Sequence, residues 1–173
     1  MPNLIKLPPF TPDGAIQMVV ETPRGAGVKL KYEPTLEVFT VSRALMLGVT
    51  YPFDWGFVPG TSGDDGDPLD ALAVHDCATF PGVMLTCRAL GVVDLEQKGD
   101  DGPESNPRLI LMPTWHDRLG EFEKAAALPE RLKQELERFF VTATFFTGKH
   151  PRITGWRGPK AADKLIRASL TLQ

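Results

Sequence analysis

Cysteine is scarce. Cys77 and Cys87 are the only two in 173 residues, ten positions apart and without a Cys-x-x-Cys spacing. That excludes a disulfide framework and points to buried thiols in a reducing compartment. Histidine is nearly as rare. His75, His116 and His150 are scattered with no ligand spacing and read as ordinary polar or half-buried side chains. No apolar run approaches the roughly 18 residues of a membrane span. Met1 to Phe10 lacks the basic-then-apolar order of a secretory leader. There is no internal repeat and no low-complexity segment. Positive charge is not in excess either, since the formal net charge is -3. With no interleaving of basic and aromatic residues, this argues against a nucleic-acid partner. It is compatible with a small anion held through metal ions. The expectation is a cytoplasmic chain with no membrane or nucleic-acid partner. What is present, 42% hydrophobic and 24% charged residues, reads as one globular domain over 1–173 that buries its own core.

The densest chemistry lies in Gly63-Asp64-Asp65-Gly66-Asp67-Pro68-Leu69-Asp70. Four carboxylates fall between 64 and 70. Gly66 permits a sharp bend, and Pro68 fixes φ and removes an amide donor. Carboxylates on the inside of such a turn suit a hard divalent cation, which takes oxygen ligands and keeps waters for a phosphate substrate. The plainer reading is an acidic surface turn. An EF-hand is excluded. Counted from Asp65, the sixth position is Asp70 rather than Gly and the twelfth is Asp76 rather than Glu.

The rest of the chain reads mainly as strands. Residues 1–14 form an irregular, Pro-rich lead-in. Strands are predicted over 16–21, 28–33, 36–45, 69–74, 83–95 and 108–112, with turn residues between them. Val28, Leu30 and Tyr32 lie on one face of the second strand, and Lys29, Lys31 and Glu33 on the other. Gln97 to Pro107 reads as a mobile hairpin loop. Leu128, Leu132, Leu136 and Phe140 fall at steps of four and predict a helix over 129–140, with Pro129 at its first position. A second helix is predicted over 159–170, with Ala162, Leu165, Ile166 and Ser169 inward. About seven short strands suggest a small closed barrel. The fold class is α+β, mainly β.

Asp65-Gly66-Asp67-Pro68-Leu69-Asp70-Ala71 resembles the signature of the soluble family I inorganic pyrophosphatases. Upstream, Tyr51-Pro52-Phe53-Asp54-Trp55-Gly56-Phe57-Val58-Pro59 resembles the run that precedes it in that family. The resemblance covers roughly residues 16 to 157. It implies an OB-like closed β-barrel flanked by two main helices. It also implies Mg²⁺-dependent hydrolysis of diphosphate to two phosphates, with Mn²⁺ as a possible substitute, and a homo-oligomer, a hexamer in the bacterial branch. Asp65 and Asp70 are expected to bridge metals. Asp67 is expected to help hold them and to act as general base toward an activated water. Glu21 and Glu33 are expected to serve a further metal. Lys31, Arg43, Tyr51 and Arg108 are expected to hold the phosphates, the guanidinium of Arg43 bidentately.

Several positions depart from the family pattern. Gln97 and Asn106 stand where aspartates are usual, and Asn106 can ligate only through a neutral carbonyl. Arg108 replaces a lysine, Trp55 a tyrosine, and Ala143-Thr144 a Tyr-Lys pair. Three readings stay open. They are a diphosphatase with a modified metal site, a diverged hydrolase of another small phosphoanhydride, and a weak relative that binds a phosphate compound or a protein partner.

Overall fold

The computed structural model describes residues 3–115 and 128–171; His116 lies outside them. Nine strands and two α-helices occur in this part: β1 (Ile16–Thr22), β2 (Val28–Glu33), β3 (Val38–Ala44), β4 (Asp54–Phe57), β5 (Asp70–Ala73), β6 (Met84–Lys98), β7 (Pro103–Ser105), β8 (Arg108–Pro113), α1 (Glu130–Ala143), β9 (Arg152–Arg157) and α2 (Pro159–Ala168). The large sheet runs β1-β4-β5-β8-β6-β7, with β9 also paired to β6. Because β1 pairs with β6 as well, strands β1, β4, β5, β8 and β6 close a ring. The expected OB-like barrel is therefore a ring of five strands, not strictly a barrel. β2 and β3 form a separate two-stranded sheet.

Alternation along the ring strands builds two cores. Leu72 and Val74 join Trp55, Ile110 and Met112, and this cluster packs against Leu136, Phe139 and Phe140 of α1. Ala71 and Ala73 join Met18, Val20, Leu109 and Leu111, which pack against Ala162 and Ile166 of α2. Successive residues of β5 thus feed opposite clusters, as the two-residue period of a strand requires. A smaller cluster of Val19, Tyr32 and Phe57 seats the β2–β3 hairpin on the ring.

Gly56 is the tightest point of the ring. A Cβ there would lie 1.8 Å from the Val19 carbonyl oxygen, so β1 and β4 approach as closely as they do only because position 56 has no side chain. Gly56→Ala is expected to lower stability by about 3 kcal/mol, the upper end for overpacking. Urea denaturation measures it, and a melting curve equal to wild type would contradict the close approach.

Several boundaries differ from the sequence expectation. β3 begins at Val38 rather than Leu36, because Glu37 takes a left-handed φ of 54° to turn the hairpin. Pro129 is the N-cap with ψ 137°, outside the helix, and α1 continues to Ala143. The segment read as a mobile loop is partly strand. Gln97 and Lys98 extend β6 and pair with Glu104 and Pro103 of β7, leaving only a short turn between them. Besides β7, two further strands, β4 and β9, are absent from the sequence expectation. β4 is short and contains glycine, and β9 has no clean alternation.

Candidate active site

The Gly63–Asp70 turn is held by its own backbone. Gly63 N donates to Asp67 O at 2.8 Å and Gly66 N to Gly63 O at 3.1 Å. Gly66 sits at φ 79°, the left-handed region that glycine enters freely. Asp65 Oδ1 accepts from the Asp67 backbone N–H at 3.1 Å, a local Asx-type bond.

The residues expected at the site line adjoining cavities. There are three of these. Asp65 and Asp70 line the first, with Asn106 and Arg157. Arg43, Tyr51 and Arg108 line the second, with Lys29, Trp55 and Gln97. Asp67, Glu21, Lys31 and Glu33 line the third. Pro68 borders both the first and the third.

Sheet pairing connects the first two cavities. β5 and β8 run parallel with Ala71 opposite Leu109. Asp70 and Arg108 each precede that pair and so stand side by side. Their side chains form an ion pair, and Arg108 Nη1 also donates to Asn106 Oδ1. Asn106 therefore faces a guanidinium in this structure, not an open cage.

The second cavity is rich in donors and positive charge. Lys29 stands directly opposite Arg43 across the β2–β3 ladder. Like charges so placed repel unless an anion lies between or near them. Burial holds the Lys29 ammonium below its usual range. Asp70 pulls it back up, and Arg43 and Arg108 push it further down. Arg43 Nε and Nη2 donate to the Ala143 carbonyl at 3.3 and 3.1 Å. That contact places the cation at the C-terminal end of α1, where the helix dipole favours it. Burial raises the Tyr51 phenol well above the usual range, so it stays a protonated donor. Trp55 is 4% exposed, and its ring lies 5.8 Å from Lys29 Nζ and 5.3 Å from Arg108 Cζ. Its indole N–H is buried and has no hydrogen-bond partner.

Lys29 is the residue the sequence reading missed. Lys29, Lys31 and Glu33 share a face by alternation, and the family resemblance points to Lys31 and Glu33. A bulge between Lys29 and Leu30 breaks the even register. Lys29 stands opposite Arg43, while Lys31 Nζ donates to Asp67 Oδ2 at 2.8 Å. Glu33 accepts from the backbone of Thr35 at 3.1 Å. Glu21, buried at the end of β1, accepts from Tyr32 N–H at 2.7 Å. Burial pushes its carboxyl up to about 7. The Tyr32 bond opposes that rise, the nearby charge of Asp70 adds to it, and Lys29 and Lys31 lower it.

A second buried carboxylate, Asp54, was also unforeseen. Its Oδ1 accepts from Arg24 N at 2.7 Å. Its Oδ2 accepts from Thr79 Oγ1 at 2.5 Å and lies 3.1 Å from His75 Nε2. The residue is fully buried. It ties the β1–β2 turn, β4 and the loop after β5 into one knot. Burial alone would raise its carboxyl, but the bonds from His75, Thr79 and Arg24 together hold it below the usual value. A depressed carboxylate stabilises the fold above its unfolded pKa and loses that contribution as pH falls through its folded pKa. Asp54→Asn is therefore expected to cost about 1–3 kcal/mol at pH 7, and to cost progressively less below about pH 4. Urea melts of both proteins along an acid series measure this, and a gap independent of pH would contradict it.

The inorganic pyrophosphatase family profile matches residues 18–172. The chain belongs to the inorganic pyrophosphatase family. An inorganic pyrophosphatase of Thermus thermophilus is 36% identical over 159 residues, covering 90% of this chain and 88% of the relative. One from Aquifex pyrophilus is 32% identical over 95% of this chain and 93% of its own length. Among solved structures, the Thermus thermophilus inorganic pyrophosphatase superposes with a TM-score of 0.88 at 35% identity, covering 96% of each chain. That of Neisseria gonorrhoeae gives 0.82 at 28% identity over 94% of each chain. The matched segment spans both halves of this chain.

Proposed function

We infer that the protein is a diphosphatase that hydrolyses inorganic diphosphate to two phosphates. One observation supports it above the others: Lys29 faces Arg43 directly across the hairpin, with Arg108 beside them. Three cations around Tyr51 and Trp55 suit an anion with several phosphoryl oxygens, which would relieve their mutual repulsion. Family membership supports the same substrate.

The residues present fit a divalent cation. Asp65 and Asp70 line one cavity, and Glu21 is a buried carboxylate within electrostatic reach of Asp70. These are hard oxygen donors of the kind Mg²⁺ takes. Among the described residues, no three carboxylate, imidazole or thiol groups converge closely enough to hold an ion alone. Waters and substrate oxygens would complete its shell. Asp65, Asp67, Asp70 and Glu21 would hold Mg²⁺ or Mn²⁺, with Glu33 and Asn106 as further oxygen donors. Such an ion spreads the charge of the phosphoryl oxygens and lowers the pKa of water.

The chain's own residues do the rest. Lys29, Arg43 and Arg108 bind and orient the phosphoryl groups. Asp67, half exposed and paired with Lys31, takes a proton from the attacking water. Arg108 spans two tasks, since it neutralises Asp70 and faces the phosphate cavity. The protein is read as a cytoplasmic homo-oligomer, a hexamer by family. The exposed, edge-to-face Phe145 and Phe146 supply apolar surface for such contacts. Phosphate release from diphosphate and from nucleoside triphosphates, over a Mg²⁺ series, tests the reading. Release from diphosphate alone is expected. Release only from triphosphates would replace the substrate, and release from neither would remove the activity.

A further inference from the structure

We propose that Asp54 is a positioning residue for the anion cavity: it holds the Arg24 amide and thereby fixes the turn that is bonded to Tyr51 and leads into Lys29. The proposal rests on the diphosphatase reading and adds to it a residue that touches no substrate. The turn is Pro23 to Ala26. Ala26 N donates to Pro23 O at 3.2 Å, and Gly25 takes a φ of 84° while Arg24 keeps a negative φ. This is the type II pattern. The turn is stitched to the cavity residues by its backbone. Gly25 N donates to Tyr51 O at 2.9 Å, and Tyr51 N donates to Ala26 O at 3.0 Å. Leu45 N donates to Gly27 O at 2.9 Å, just before Val28 pairs with Ala44 and Lys29 with Arg43. Tyr51, Lys29 and Arg43 all line the second cavity. One short stretch of backbone is thus the shared support of three of its side chains.

A connection of this kind is ordinarily among the more mobile parts of a domain. Here Asp54 anchors it. Asp54 Oδ1 accepts from Arg24 N at 2.7 Å, the short distance of a charge-assisted bond. The carboxylate cannot follow the turn if the turn drifts. Its other oxygen is tied to Thr79 Oγ1 and lies against His75 Nε2, and its backbone is paired with Ala73 of β5. Releasing the amide would leave a fully buried carboxylate oxygen short of a donor, which is unfavourable. Tyr51 and Lys29 are therefore held in place before the anion arrives, and a preorganised site loses least on binding.

The type II turn supplies the test, because proline is favoured at its second position. Arg24→Pro keeps the turn and removes the N–H that Asp54 accepts. Arg24→Ala is the control. It keeps the N–H and removes the guanidinium, which reaches the His75 carbonyl at 3.5 Å and stands 5.9 Å from the Phe53 ring centroid. Thr79→Val removes a donor from the same carboxylate and leaves the turn bond. The full chain of each variant is assayed for diphosphate hydrolysis, and its phosphate affinity is measured by calorimetry in magnesium-containing buffer. Arg24→Pro is expected to raise KM for diphosphate and weaken phosphate binding by about tenfold, below the roughly 10²-fold that a 1 Å misplacement can bring. Arg24→Ala and Thr79→Val are expected to leave both within about twofold, although Thr79→Val lowers the urea midpoint. A merely structural role would lower the folded fraction, and so the apparent kcat, without moving KM. Equal KM and phosphate affinity in Arg24→Pro and Arg24→Ala would overturn the proposal, and so would an equal loss in Thr79→Val. If the wild type binds phosphate but hydrolyses nothing, the diphosphatase reading falls and the calorimetry still decides the proposal. Absence of both phosphate binding and hydrolysis would remove both. If Arg24→Pro does not fold, hydrogen exchange of the Arg24 amide in the wild-type chain decides instead. Coupling is reciprocal, so saturating phosphate should slow that exchange about tenfold, and an unchanged rate would overturn the proposal.

Discussion

Asp67→Asn is expected to lower diphosphate hydrolysis by at least about 10²-fold, the lower range for losing a general base, and to leave the fold intact. The side chain is half exposed, and its one side-chain partner is Lys31 at 2.8 Å. An exposed pair of this kind contributes little to stability. The backbone bond from Asp67 N–H to Asp65 Oδ1 that shapes the turn does not involve the altered group. Asparagine is nearly isosteric, so the turn keeps its geometry, and the variant loses the negative charge and with it the proton acceptor. Steady-state phosphate release at saturating diphosphate, beside a thermal melt, measures both halves of the expectation. A turnover near wild type would exclude Asp67 as the base.

Arg108→Leu is expected to damage stability and activity together. Arg108 is buried, with Asp70 as its counter-charge and Asn106 as a further acceptor. Removing one partner of such a pair leaves the other charge uncompensated. The expected cost is about 3 kcal/mol, at the low end for broken buried pairs because Asp70 keeps some contact with solvent. The cavity also loses one of its three cations, so kcat/KM should fall by about 10²-fold or more. The two effects are separable. Arg108→Leu combined with Asp70→Asn removes the orphaned charge, and it is expected to recover most of the stability and none of the hydrolysis. Urea denaturation and phosphate release on the single and double variants provide the measurement. Full activity in the stable double variant would show that neither residue handles substrate or metal.

The parts of the site that are contiguous in sequence were legible in sequence. The turn from Gly63 to Asp70 announces itself through glycine, proline and four carboxylates, and the run from Tyr51 to Pro59 adds a specific pattern. The elements built on side-chain period, β1, β2, β6, β8 and both helices, were also readable. What long-range pairing decides was not. The meeting of Asp70 with Arg108 depends on β5 and β8 running parallel, and no local pattern states that. A bulge in the β2–β3 ladder brings Lys29 opposite Arg43, while Lys31 lies opposite Thr40. Alternation put both on the same face and could not say which one met Arg43. A charge count along that face, two lysines against a single glutamate, was the signal available. Asp54 looked like an ordinary polar residue between aromatics. Its burial follows from Arg24, Thr79 and His75, residues that fold in from both sides of it in sequence.

The parallel β5–β8 pair also bears on how the chain reaches this state. Ala71 and Leu109 are roughly 40 residues apart in sequence, and Ile16 and Cys87, which close the ring between β1 and β6, about 70. Contacts across such spans carry the full entropy of loop closure before they return any energy, so they form late. The β2–β3 hairpin, by contrast, joins near neighbours and can form early. During refolding the Lys29–Arg43 pairing should therefore precede the docking of Arg108 beside Asp70. The chain acquires an anion-attracting hairpin first and a complete cavity only with the last strand of the ring.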